Sequence, residues 1–204
     1  MEVIAVERVR RRMRLTIGPE TLIVPMALYR ERPLEAGDEV DLAEYTDWLL
    51  LREYRPALDY AVSLLSARAY AKGELRDKLV RAGYLPEAAE MAVYKLETLN
   101  LLDDGAFARQ WAASRTRRGL GEKRIRMELR QKGLSAEDAE AALSETDPDE
   151  RLAAAVRLAA ASLRRAKPGE DPRKTLQRTT AALARRGYSF DLIREAIRRA
   201  RGGD

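Results

Sequence analysis

The 204-residue chain contains neither cysteine nor histidine. With no cysteine there is no disulfide, no thiol nucleophile and no thiolate ligand. With no histidine the commonest general base and the commonest metal ligand are missing as well. No apolar run approaches the roughly 18 residues that a membrane helix needs. No signal peptide opens the chain, so a soluble, cytoplasmic protein is expected. Catalytic motifs are also absent: there is no Gly-x-x-x-x-Gly-Lys-Ser/Thr loop, no Gly-x-Ser-x-Gly elbow and no metal-ligand spacing. The acidic pair Asp103-Asp104 precedes a predicted helix. There it reads as an N-cap and its neighbour, stabilising by about 1 kcal/mol, rather than as half of a metal site. A binding protein is therefore favoured over an enzyme, with no cofactor and no metal.

What the chain has in quantity is charge. Charged residues make up 35% of it, against 46% hydrophobic, and the net charge is +5. So much charge suits an elongated array of small modules, whose surface is large for their volume. The balance is uneven: residues 1–60 carry a net −3, residues 61–150 a net −1 and residues 151–204 a net +9. Between Arg109 and Lys132, nine Lys/Arg stand against two Glu. A basic end on an otherwise balanced chain points to a polyanion or an acidic protein surface as partner.

Three glycines set an internal repeat. Gly83, Gly133 and Gly187 are spaced 50 and then 54 residues apart. Four residues before each stands a leucine (Leu79, Leu129, Leu183), and directly after each an apolar residue (Tyr84, Leu134, Tyr188). A glycine just past a helix end takes the left-handed conformation without a Cβ clash, and the apolar residue after it folds back on the leucine. A new helix follows at once: Pro86 suits a first turn, and Ser135-Ala136-Glu137-Asp138 reads as a capping box. Repetition at this period means tandem modules.

The resulting expectation is a mainly α chain: tandem three-helix modules in an elongated array after a small N-terminal β-hairpin region. Met13, Leu15 and Ile17 alternate with Arg12, Arg14 and Thr16, Gly18-Pro19-Glu20 is a turn signal, and Thr21–Val24 offers a third strand. A short helix is predicted over Asp41–Arg52, closing a first region at residues 1–54. Module one (55–101) should hold helices Pro56–Ala67, Ala71–Arg81 and Pro86–Leu99. Module two (102–146) should hold Asp104–Arg117, Glu122–Lys132 and Ala136–Ser144, and module three (147–204) Asp149–Ala166, Pro172–Arg186 and Phe190–Ala200. Gly202-Gly203-Asp204 is expected to fray.

The candidate contact surface is basic. A helix over Glu122–Lys132 puts Ile125 and Leu129 on one stripe and Lys123, Arg126 and Arg130 on another that faces water. Arg115, Arg117 and Arg118 precede it, Lys132 ends it, and Arg124 is spaced to pair with Glu128. Arg157, Arg164, Arg165, Arg185 and Arg186 of module three form a second electrostatic set. The arginines at 10, 11, 12 and 14 have two readings, the wet face of an edge strand or a further basic contact. Phe107 and Trp111, at i and i+4, read as core in preference to a base-stacking platform.

These residues resemble a known family. Leu102-Asp103-Asp104-Gly105-Ala106-Phe107-Ala108, followed by Arg115-x-x-Arg118-Gly119-x-Gly121-x-x-Arg124-Ile125-x-x-Glu128-Leu129-x-x-Lys132-Gly133, is similar to the central signature of RecX proteins. Glu74-Leu75-x-x-Lys78-Leu79-x-x-x-Gly83 is similar to their first repeat. The resemblance implies a triple three-helix repeat and a role in DNA recombination, repair and the SOS response. It implies binding to the RecA–DNA filament in its helical groove, with RecA recombinase and non-specific single- or double-stranded DNA as partners, and inhibition of strand exchange and the ATPase. The modular array itself, each module packing only on its neighbours, leads to the expectation of a monomer. A plain DNA-binding protein, non-specific or of helix-turn-helix type, and an inert helical scaffold are the competing readings. Few Asn, Gln or Ser accompany the basic stripe, which counts against reading base edges.

Overall fold

The alternating run from Arg12 to Ile17 is a strand in the computed structural model, which describes residues 1–202; the fraying expected of Gly203 and Asp204 lies outside the described residues. Strand β1 (Val3–Val9), β2 (Arg12–Ile17) and β3 (Glu20–Pro25) form an antiparallel meander in that order. Both hairpin loops have two residues and open on a positive φ, 59° at Arg10 and 53° at Gly18, as turns matching the strand twist require. Met13, Leu15 and Ile17 are buried together on one face, and Val3 and Val24 join them.

The chain divides into two units, Met1–Leu102 and Asp103 onward. In the first, β3 runs into a six-residue helix α1 (Met26–Glu31), which sequence periodicity did not announce. A 26-residue helix α2 (Leu42–Ala67) follows, capped by Asp41, whose carboxylate accepts from the N–H groups of Ala43 and Glu44. This corrects the expectation of two helices over Asp41–Arg52 and Pro56–Ala67, because the border expected between residues 54 and 55 falls inside α2. Proline breaks a helix by removing one N–H and crowding one carbonyl. Pro56 stands on the exposed side, where the carbonyl it frees, that of Arg52, is not shut away from solvent. The opposite stripe, Tyr45, Leu49, Glu53, Ala57 and Ala61, is buried along its whole length and holds the helix together. Tyr45 and Leu49 pack under the sheet, with Leu85 and Ala88, while Ala57 and Ala61 pack against Leu75, Leu79, Ala92 and Leu96. Helices α3 (Lys72–Ala82) and α4 (Pro86–Thr98) supply those last residues.

The second unit is helical throughout: α5 (Asp104–Arg117), α6 (Glu122–Gln131), α7 (Ala136–Ser144), α8 (Pro148–Leu163), α9 (Pro172–Arg185) and α10 (Phe190–Ala200). Asp103 caps α5 and Ser135 caps α7, each accepting an N–H three residues on. Ile125 and Leu129 are fully buried, as their i, i+4 spacing predicts. Leu183, Tyr188, Ile193 and Ile197 form the last core with Ala155 and Ala159 of α8. All three repeat glycines are left-handed, φ 94° at Gly83, 86° at Gly133 and 90° at Gly187. The residue after each donates its N–H to the leucine four before the glycine: Tyr84 to Leu79, Leu134 to Leu129 and Tyr188 to Leu183. This is the cap that the repeat frame predicts.

Candidate functional site

The basic residues sort into three groups once each is placed. The first is tied into the middle module. Glu128, on α6, is the centre of a knot: it accepts from the Arg115 guanidinium at 2.7 Å and the Trp111 indole N–H at 3.2 Å, and pairs with Arg124 at 3.4 Å. Arg115 lies 4.0 Å from the Trp111 ring centroid and Lys132 lies 4.1 Å from it. Phe107 stacks on Trp111 at 5.7 Å and is itself buried. The Phe107–Trp111 pair is thus the core feature its spacing predicts, and its cations are already in use.

Arg126 departs from the expected free stripe. It is ion-paired with Glu140 of α7, which raises the guanidinium pKa and holds the Glu140 carboxyl below its usual range. The pair forms because α6 and α7 are joined by the short Gly133 turn, which brings residues 14 apart in sequence side by side.

The second group gathers where two modules of the same unit dock. Gly121, which opens α6, donates its N–H to the carbonyl of Arg186 at 2.9 Å, and Lys123 donates to that of Gly187 at 3.1 Å. Two of the free N–H groups at the N-terminus of α6 are therefore satisfied by the carbonyls of the turn that follows α9. The approach is backbone to backbone. A Cβ at Gly121 would collide with Gly187 and Tyr188, and one at Gly187 would come within 2.7 Å of the Arg124 Cβ. Arg186 reaches across to the carbonyls of Arg118 (3.5 Å) and Gly119 (3.4 Å). The contact therefore collects Arg117, Arg118, Lys123, Arg124, Arg185 and Arg186 at one joint, all exposed. Arg157 belongs near it, since its charge and that of Arg186 act on the Tyr188 hydroxyl, whose pKa burial nevertheless pushes up. Among the described residues, Arg117, Arg118, Lys123, Arg185 and Arg186 have no acidic partner.

The third group stands apart from this joint. Arg164 and Arg165 follow the C-terminus of α8, about 10 Å along the helix from Arg157, and Arg130 is exposed on the far turn of α6 beside Glu140. Sequence reasoning found these cations without finding the joint. Its signal was present in Gly121, which occupies an N-cap where Ser, Thr or Asp would bond the helix better. The absence of a side chain there marks a close approach.

In the N-terminal unit, one of the two readings for the arginines gives way to a third. Arg12 points inward and donates to the carbonyls of Ala82 and Gly83 at the end of α3, while Arg10, Arg11 and Arg14 are exposed.

Comparison with known proteins places this architecture. Tandem three-helix bundles, each with a glycine cap between its last two helices, define a class of helical-repeat proteins, and three profiles of one family match here. They are RecX first, second and third three-helix domains, at residues 57–96, 103–143 and 149–197. A regulatory protein RecX of Mycobacteroides abscessus is 37% identical over 146 residues, covering 69% of this chain and 72% of the relative. That of Deinococcus radiodurans is 38% identical, covering 72% of this chain and 69% of the relative. A crystal structure of a regulatory protein RecX aligns over 95% of this chain and 98% of its own with a TM-score of 0.65 at 21% identity, a likeness of fold. The chain belongs to the RecX family of regulatory proteins. No helix among the described residues is long and apolar enough to cross a membrane.

Proposed function

We propose that this protein inhibits RecA recombinase by binding the RecA–DNA filament in its helical groove, acting as a cytoplasmic monomer without a cofactor. The observation that carries the reading is the joint between the second and third modules, where five exposed cations without acidic partners among the described residues flank two docked turns. Arginine and lysine on turns suit phosphate contacts, which position a protein on nucleic acid without reading sequence. That favours non-specific single- or double-stranded DNA, within the filament, over a sequence-specific operator.

The test is the ATPase of RecA on single-stranded DNA titrated with the full chain. Inhibition at substoichiometric protein that excess free DNA does not relieve supports the reading. Inhibition that excess DNA removes assigns a plain DNA-binding protein instead, and an unchanged ATPase rules the proposal out.

A further inference from the structure

Phe190, the first residue of α10, is 66% exposed. The core has no need of it at this turn, because Tyr188 does that work: it is 5% exposed, bonds back to Leu183 and packs with Ile193 and Ile197. A cation stands beside the Phe190 ring. The Lys123 ammonium lies 6.0 Å from its centroid, and the chain leading into it is Arg185-Arg186-Gly187, held against α6 by the Lys123 N–H. The nearby carboxylates are occupied: Asp191 pairs with Arg194, Glu122 with Arg151, and Glu128 with Arg115 and Arg124. Met127, one turn beyond Lys123 on α6, is 39% exposed.

An exposed aromatic ring beside a cation that has no acidic partner among the described residues is the combination that holds single-stranded nucleic acid. The cation follows the phosphates and the ring takes the face of a base. A duplex offers no free base face except at its ends. We infer that Phe190 is a stacking platform for a base of single-stranded DNA, with Lys123 on an adjoining phosphate. The inference rests on the proposed role at DNA and adds a residue that sees bases, where the joint sees only charge.

Two labelled strands of equal length separate the two contributions: an oligothymidylate, and its abasic counterpart with the same phosphates and no bases. Titrated with the full-length protein, the parent should prefer the oligothymidylate. Phe190→Ala should lose affinity for it about tenfold, within the range of one base–aromatic stack, and bind the abasic strand as the parent does. Phe190→Trp should keep the preference. Lys123→Gln should weaken both strands and flatten their salt dependence. RecA ATPase inhibition is measured on the same proteins. If the parent inhibits RecA but binds both strands alike, the stacking inference fails while the regulatory reading stands. If Phe190→Ala keeps full DNA affinity yet no longer inhibits RecA, the ring meets protein and the inference is again overturned. If the parent neither inhibits RecA nor binds either strand, both fall.

Discussion

The carboxylate of Glu53, in the middle of α2, accepts a hydrogen bond of 2.6 Å from the backbone N–H of Leu85. Leu85 is the N-cap of α4, and the residue three further on that could reach back to its N–H is Ala88, so a carboxylate from another helix satisfies it instead. Glu53 is 1% exposed, and its second oxygen has no hydrogen-bond partner. It sits where the sheet core ends and the helical core begins, on the one stripe that α2 buries in both.

Glu53→Ala should therefore cost about 1–3 kcal/mol, the penalty for leaving a buried N–H unpaired, read as a lower urea midpoint. The pH dependence is more specific. Burial raises the Glu53 pKa, partly opposed by the Leu85 N–H and by the charge of Arg12. The folded protein thus holds this proton more tightly than the unfolded chain does. Its contribution is full below the unfolded value of about 4.3 and is lost as pH rises through the raised folded value. Measured against Glu53→Gln, the parent should lose stability as pH is raised from about 4. Parallel pH profiles for the two proteins would refute this.

Arg12 separates itself from the arginines around it. Its guanidinium meets the carbonyls of Ala82 and Gly83, the negative end of α3. Arg12→Ala should cost about 1.5–3 kcal/mol, as expected for hydrogen bonds from a charged donor. Arg10→Ala and Arg11→Ala, on the exposed turn, should stay within about 0.5 kcal/mol of the parent. Thermal melts of the three variants decide it, and equal melts would mean that the Arg12 contact is dispensable.

The contrast shows what a sequence displays and what it hides. The glycine caps, the buried Ile125 and Leu129, and the Arg124–Glu128 pair were legible because each is a local spacing, three to five residues long, set by helix geometry. The continuity of α2 was not, because Pro56 reads as a breaker until the exposure of its face is known. Arg12 meeting Gly83 spans 71 residues, and Arg126 meeting Glu140 spans 14 with a turn between. Charge patterns along a chain carry no record of either pairing. Least visible was the joint itself, since two backbones in contact leave no side-chain pattern beyond the glycines that allow them to meet.

Those glycines differ in what they bear. Gly133 is left-handed and exposed, so Gly133→Ala should cost the conformational strain alone, about 1–2 kcal/mol. Gly187 is left-handed and also packs on Arg124. Gly187→Ala should cost clearly more, because the new methyl group parts α9 from α6 and breaks the hydrogen bonds to Gly121 and Lys123. Hydrogen exchange should show the first turn of α6 opening in Gly187→Ala and remaining closed in Gly133→Ala. Equal costs for the two would mean that the docked turns contribute nothing to stability.

The joint also decides which charge reversals are informative. Arg115→Glu would break the knot at Glu128 and Trp111, and Arg126→Glu would face Glu140, so lost binding in either would be confounded with lost structure. Arg117, Lys123 and Arg185 carry no ion pair among the described residues, and exposed charges add little to folding. Arg117→Glu/Lys123→Glu/Arg185→Glu should melt within a few degrees of the parent. Its binding to the RecA–DNA filament should weaken, and the slope of log affinity against log salt should fall by roughly 0.7 to 0.9 for each phosphate contact removed, about 2 to 3 for the triple variant. The salt slope is the diagnostic part, because a variant that lost only protein contacts would bind more weakly at an unchanged slope. If affinity and slope both match the parent, the joint does not touch DNA, and the exposed arginines of the N-terminal turn, Arg10 and Arg11, become the next basic surface to reverse.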